Sequence, residues 1–126
     1  MTFRGRRNTI LGSNITLDNG RNEILHSTAI GYNQTLKSSG SVMIGSASSI
    51  AADYSVTIGS GNHINSGAIN SVAIGGATIF DNSSASVAVG SNARVNASVP
   101  NGVALGAYSI ANRAAGEQGY SPSGKN

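Results

Sequence analysis

The sequence predicts an all-β fold, a narrow flattened roll built from coils of about 14–16 residues stacked in parallel register. Three observations lead there. A glycine recurs at Gly12, Gly31, Gly45, Gly59, Gly75, Gly90 and Gly106, always after an aliphatic residue, at separations of 19, 14, 14, 16, 15 and 16 residues. Nearly the same phrase returns around four of them: Ser41-Val42-Met43-Ile44-Gly45, Ser55-Val56-Thr57-Ile58-Gly59, Ser71-Val72-Ala73-Ile74-Gly75 and Ser86-Val87-Ala88-Val89-Gly90. Finally, the 126 residues include 17 Gly, 2 Phe and no Trp, too few large apolar groups for a compact globule. A stack of repeats needs only a thin apolar seam.

Each coil reads as two short strands joined by tight turns. In Ser71 to Ile74 apolar and small residues alternate, so Val72 and Ile74 share one face and Ser71 and Ala73 the other. The larger pair is expected to point into the coil. The glycine then ends the first strand, where the chain turns sharply and a positive φ is needed. A second strand follows, with an apolar residue five positions after each glycine: Leu17, Leu36, Ile50, Ile64, Phe80, Val95 and Ala111. Stretches such as Asp18-Asn19-Gly20 and Asp81-Asn82-Ser83-Ser84 supply turns, because these residues accept left-handed backbone or bond to it locally. No segment keeps a helical period, and glycine recurs too often for a long helix. The pattern divides the chain into a basic leader or cloning remnant at 1–7, the repeats at 8–111 and a tail at 112–126. The first spacing of 19 predicts a longer loop from Asp18 to His26.

Two residues before the repeat glycines stand Ile10, Ala29, Met43, Thr57, Ala73, Ala88 and Ala104. Alternation puts this row on the face opposite the larger residues, and it is apolar and mostly small. An exposed strand face would carry Lys, Glu, Thr or Gln. Ala29, Met43, Thr57, Ala73, Ala88 and Ala104 are therefore expected to form an interface between chains, which a glutamate at Ala73 or Ala88 would split. Burying a Val or Ile stabilises by about 1.5–3 kcal/mol. Two or three per coil barely offset about 1–2 kcal/mol of backbone ordering per residue, so assembly is expected to supply further burial.

The formal net charge is +3, and Arg4, Arg6 and Arg7 crowd the start while Asp53 and Asp81 are the only Asp, Glu, Lys or Arg from Ser38 to Ala93. With no basic stripe on the body, nucleic acid is not an expected partner. The absence of cysteine removes disulfide and thiolate chemistry. No signal peptide and no apolar run of membrane-spanning length is visible, so no direct membrane insertion is expected. His26 and His63 lack the clustered Asp, Glu or His that a metal site requires, and neither a metal nor a cofactor is expected. A serine with His63 and Asp53 or Asp81 has no nucleophile-elbow context to support it. A hexapeptide-repeat acyltransferase, another solenoid, would carry an aliphatic residue every six positions. Ile58 and Ile64 obey that rule, but Asn70 breaks it and the dominant period lies near 15. Ice-binding solenoids need ranks of Thr-x-Thr, and the threonines here are scattered. Four Asn-x-Ser/Thr triplets, at Asn14, Asn33, Asn82 and Asn96, are expected by chance in so polar a chain.

The phrase Asn70-Ser71-Val72-Ala73-Ile74-Gly75-Gly76-Ala77-Thr78 closely resembles the repeat of the YadA-like heads of trimeric autotransporter adhesins, and Asn101-Gly102-Val103-Ala104-Leu105-Gly106-Ala107-Tyr108-Ser109 resembles it nearly as well. Ser41 to Ser48 and Ser86 to Ala93 are looser copies, and the likeness runs from about Asn8 to Ala111. It implies a left-handed parallel β-roll, three of which pack about a common axis as a homotrimer. It further implies a non-enzymatic adhesin displayed on a Gram-negative surface and held in the outer membrane by parts outside this chain. The implied partners are host matrix proteins such as collagen, host cells or other bacteria. Ligand contacts would then come from the outer turns and strand faces, with Asn62, His63, Asp81, Asn82, Arg94 and Tyr108 as candidates. The tail departs from the family: it lacks the basic neck sequence, and Gly116 to Pro122 resembles the lead into an inserted element. The Met1 start reads as that of a recombinant fragment. A structural spacer without a ligand of its own is the alternative function.

Overall fold

A computed structural model describes residues 2–20 and 22–116, which form a parallel β-solenoid of about seven turns, about 16 residues apart. The tail sequence from Glu117 to Pro122 lies outside the described residues. The strands in chain order are β1 (Thr2–Phe3), β2 (Gly5–Arg6), β3 (Thr9–Leu17), β4 (Ile24–Leu25), β5 (Thr28–Leu36), β6 (Val42–Ser46), β7 (Ser49–Ile50), β8 (Val56–Ser60), β9 (His63–Ile64), β10 (Val72–Ile74), β11 (Thr78–Ile79), β12 (Val87–Val89), β13 (Arg94–Val95), β14 (Val103–Leu105) and β15 (Ile110–Ala111). One wall of the roll runs β3-β5-β6-β8-β10-β12-β14, and the second continues from β3 and β5 through β7, β9, β11, β13 and β15. Strands β3 and β5 pass through the corner between the walls, at Asn14 (φ 53°) and Asn33 (φ 54°). Asparagine tolerates this left-handed backbone better than most residues do, because its short side chain bonds locally.

Register follows the sequence repeat. Gly12, Gly31, Gly45 and Gly59 are successive ladder partners, as are Ala73, Ala88 and Ala104. The basic leader turns out to be paired: Thr2–Phe3 join the main sheet against Thr16–Leu17, and Gly5–Arg6 pair with Ile24–Leu25 in a separate two-stranded sheet. The long first interval is accordingly shorter as a loop than its spacing suggested, since Ile24 is buried and already back in a strand.

The interior corrects the orientation read from alternation. Ala29, Met43, Thr57, Ala73, Ala88 and Ala104 point inward and are 0–2% exposed within the single chain, so they are not free to form an intersubunit face. They lie opposite Leu17, Leu36, Ile50, Ile64, Ile79 and Val95 of the second wall, also buried. The first wall supplies mostly alanine, with Met43 and Thr57 as exceptions, and the second supplies larger groups, while Val72 and Ile74 are left on the outside, half-buried. A second correction concerns Phe80, which is 37% exposed. The turn at Gly75-Gly76 is one residue shorter than its neighbours, so Thr78 and Ile79 pair with His63 and Ile64, and Ile79 is the inward residue.

The buried serines form a ladder of their own. Ser27 Oγ accepts the Ser41 N–H at 3.2 Å, Ser41 Oγ that of Ser55 at 3.0 Å, Ser55 Oγ that of Ser71 at 3.2 Å, Ser71 Oγ that of Ser86 at 3.0 Å, and Ser86 Oγ that of Gly102 at 3.0 Å. Asn8 Oδ1 starts the series by accepting the Ser27 N–H at 2.9 Å. The hydroxyls donate across the coil to carbonyls at its third corner, including Ser83 O at 3.3 Å and Val99 O at 3.2 Å. Backbone that turns out of the sheets thus keeps its donors satisfied without water.

Thr57 breaks the economy of this interior. Its Oγ1 is fully buried and has no hydrogen-bond partner. Replacing Thr57 by valine removes that desolvated hydroxyl at nearly constant shape, and the variant is expected to gain about 1 kcal/mol. Chemical denaturation checks this; a midpoint below that of the parent chain contradicts the packing described.

Candidate functional site

Two outer faces of different character result from this packing. On the first wall, Val42, Val56, Val72, Val87 and Val103 form one column, and Leu11, Ile30, Ile44, Ile58, Ile74, Val89 and Leu105 the next, in unbroken ladder register. β-Branched residues suit a pleated surface, but they are solvent-facing here: Ile44 is 39% exposed, Ile58 42%, and Leu105, on the last coil, 72%. Ser13, Tyr32, Ser46 and Ser60 border these columns, and no charged side chain interrupts them. Such a continuous apolar strip is unusual on a surface that meets only water. The columns are visible in the sequence, where alternation and size point them inward; the structure places them outside.

The second wall presents a polar column: Thr16, Thr35, Ser49, His63, Thr78 and Arg94, ending at Ile110. Ser49 Oγ and His63 Nδ1 lie 2.9 Å apart. Two ladder steps separate His63 from Arg94, about 10 Å at ordinary strand spacing, and both are exposed. Tyr108 is 73% exposed at the left-handed corner between the walls, one coil beyond Asn92. Asp81 and Asn82 are exposed on the turn beyond β11, at the other end of the second-wall strand, with Asn82 in left-handed backbone at φ 60°. The structure thus gathers His63, Arg94 and Tyr108 towards one edge of the polar face and sets Asp81 and Asn82 at the other. Asp53 Oδ1 accepts the Ser39 N–H at 2.8 Å on a turn beyond β7, so Asp53 does not complete a catalytic trio with His63.

Asn62 is not a surface contact. It is 0% exposed, and its Oδ1 accepts the N–H groups of Gly76 and Ala77, both at 2.9 Å, while Nδ2 donates to Ile58 O at 3.0 Å. It closes the shortened turn in the following coil. Asn62→Ala is expected to lose about 2–3 kcal/mol of stability, because two backbone donors lose their acceptor, with no effect on ligand contacts. Thermal unfolding beside a binding assay checks both parts.

The N-terminal end is the most charged region. Arg6 Nε meets Glu23 Oε2 at 2.9 Å, Arg4 lies 3.8 Å from Asp18, and Arg7 Nη1 is 3.4 Å from His26 Nε2. Among the described residues no three His, Asp or Glu side chains converge as a metal site, and the surface shows no pocket. What the arrangement offers is extended: an exposed apolar strip on one wall and a polar, periodic surface on the other. No family model, curated protein or solved structure matches the chain.

Proposed function

We propose that this chain is the head of a bacterial surface adhesin, a left-handed parallel β-roll acting as a homotrimer. The observation that carries the reading is the uncharged Val/Ile strip along the first wall. Three copies packed by this strip about a common axis would bury it and leave each polar wall outward. The resemblance of Asn70 to Thr78 and Asn101 to Ser109 to YadA-like head repeats supports the same assembly and, with it, attachment to host matrix proteins such as collagen or to cell surfaces. Weak polar contacts repeated at each coil and on three faces gain strength through multivalency. His63, Arg94 and Tyr108 on one edge, and Asp81 and Asn82 on the other, are the proposed contacts. Anchoring in an outer membrane would come from parts outside this chain.

Sedimentation of the purified chain, followed by binding to immobilised collagen and to cultured cells, tests the proposal. A three-chain mass with saturable attachment is the expected result. A folded single-chain species at micromolar concentration overturns the assembly. A trimer that attaches to neither surface overturns the adhesive role and leaves the spacer reading.

A further inference from the structure

The sequence contains two Asn-Gly steps, Asn19-Gly20 and Asn101-Gly102, and the fold places them in opposite circumstances. Asn-Gly is the dipeptide most open to intramolecular attack, because glycine has no side chain to shield its backbone nitrogen. At Asn101-Gly102 that nitrogen belongs to the interior: Gly102 is buried, its N–H is donated to Ser86 Oγ at 3.0 Å, and its carbonyl accepts the Val87 N–H at 2.9 Å. Attack there requires opening a coil.

At Asn19-Gly20 the same nitrogen lies outside the strand ladders. Gly20 is exposed, with open space where a Cβ would stand. Its N–H donates to Asp18 Oδ1 at 2.7 Å, which puts a carboxylate on the nucleophile as a base. The Asn22 N–H donates to Asn19 Oδ1 at 2.8 Å, which polarises the amide carbon and stabilises negative charge as it develops on that oxygen.

We propose that Asn19 is a self-modifying site, converting to aspartate and isoaspartate through a succinimide. The Gly20 nitrogen bonds to Asn19 Cγ as its proton passes to Asp18. The Cγ–Nδ2 bond then breaks, and Nδ2 leaves as ammonia with that proton. Water opens the ring at either carbonyl, so asparagine and water become the acid and ammonia without any oxidant or cofactor. Each event lowers the net charge by one beside Arg4 and Arg6. The isoaspartate product lengthens the backbone only in a loop outside the strand ladders, so the roll persists.

Ageing the full chain at physiological pH and temperature, then mapping tryptic peptides by mass spectrometry, tests this. Peptide 8–21 carries Asn19 and peptide 95–113 carries Asn101. In the folded chain Asn19 is expected to react at least about tenfold faster than Asn101, since local opening limits the latter; in urea the two rates converge. Asp18→Ala is expected to slow Asn19 several-fold in the folded chain and leave its rate in urea unchanged. Equal rates in the folded chain, or an intact Asn19, overturn the proposal. An Asp18→Ala rate equal to the parent's overturns the assigned base.

Discussion

Gly45→Ala is expected to lose about 3–5 kcal/mol, combining backbone strain with a forced overlap in the ladder. Gly45 has φ 133°, and a Cβ there would run into the backbone carbonyl of Gly59 in the next coil. Gly31 stands in the same relation to Gly45. The overlap has no local relief, because the obstructing atom belongs to a strand already held on both sides by parallel pairing. The coil either separates from its neighbour or gives up its register. Gly61→Ala is the control: at φ 75° with nothing within 4 Å of the added carbon, it bears only the left-handed penalty of about 1–2 kcal/mol. Urea unfolding of the two variants beside the parent checks the ladder. Similar losses in both would mean that the close approach of stacked glycines plays no part in stability.

Ile58→Glu and Ala73→Glu are expected to fail in different ways, although the two positions lie on neighbouring coils. Ile58 is on the outer strip, so its replacement leaves the interior of the roll intact. In the proposed trimer it sets three unpaired carboxylates against an apolar interface, a cost of about 3–5 kcal/mol for each buried charge left without a partner. The expected result is a single-chain mass with a retained β spectrum at low temperature. Ala73 is fully buried within its own coil, opposite the large residues of the second wall. A glutamate there has neither room nor a partner, and desolvating its charge costs more than a small domain has in reserve. That variant is expected to be unfolded, not dissociated as its place in the sequence pattern suggested. Sedimentation with circular dichroism separates the outcomes. Ala73→Glu folding as a monomer would reverse the wall assignment, and Ile58→Glu keeping the parent mass would remove the Val/Ile strip from the assembly.

Much of the architecture was legible without coordinates. The recurrence of aliphatic-glycine pairs implies stacking in parallel, and the register obeys it from Gly12 to Gly59 and from Val72 to Leu105. Turn chemistry was legible in part: Asn82 takes up left-handed backbone in a stretch read as a turn, but Ala47, Tyr54, Ala85 and Tyr108 do so as well, and their residue types give no such signal. The candidate site was less so. Asn62 belongs to the same residue type as the corner asparagines, and nothing local distinguishes an exposed turn from a buried cap that holds Gly76 and Ala77. The offset of five from glycine points to Phe80 and misses Ile79, because a fixed offset carries no information about a turn shortened by one residue.

The sequence by itself determined a stack of two-walled coils with an alternating first strand, because period and residue type act locally and repeat. Only the tertiary structure decided which side of that strand is inside. Alternation separates two faces without labelling them; the label comes from packing against the opposite wall, where the buried Leu36, Ile50, Ile64, Ile79 and Val95 are met by a row that is mostly alanine.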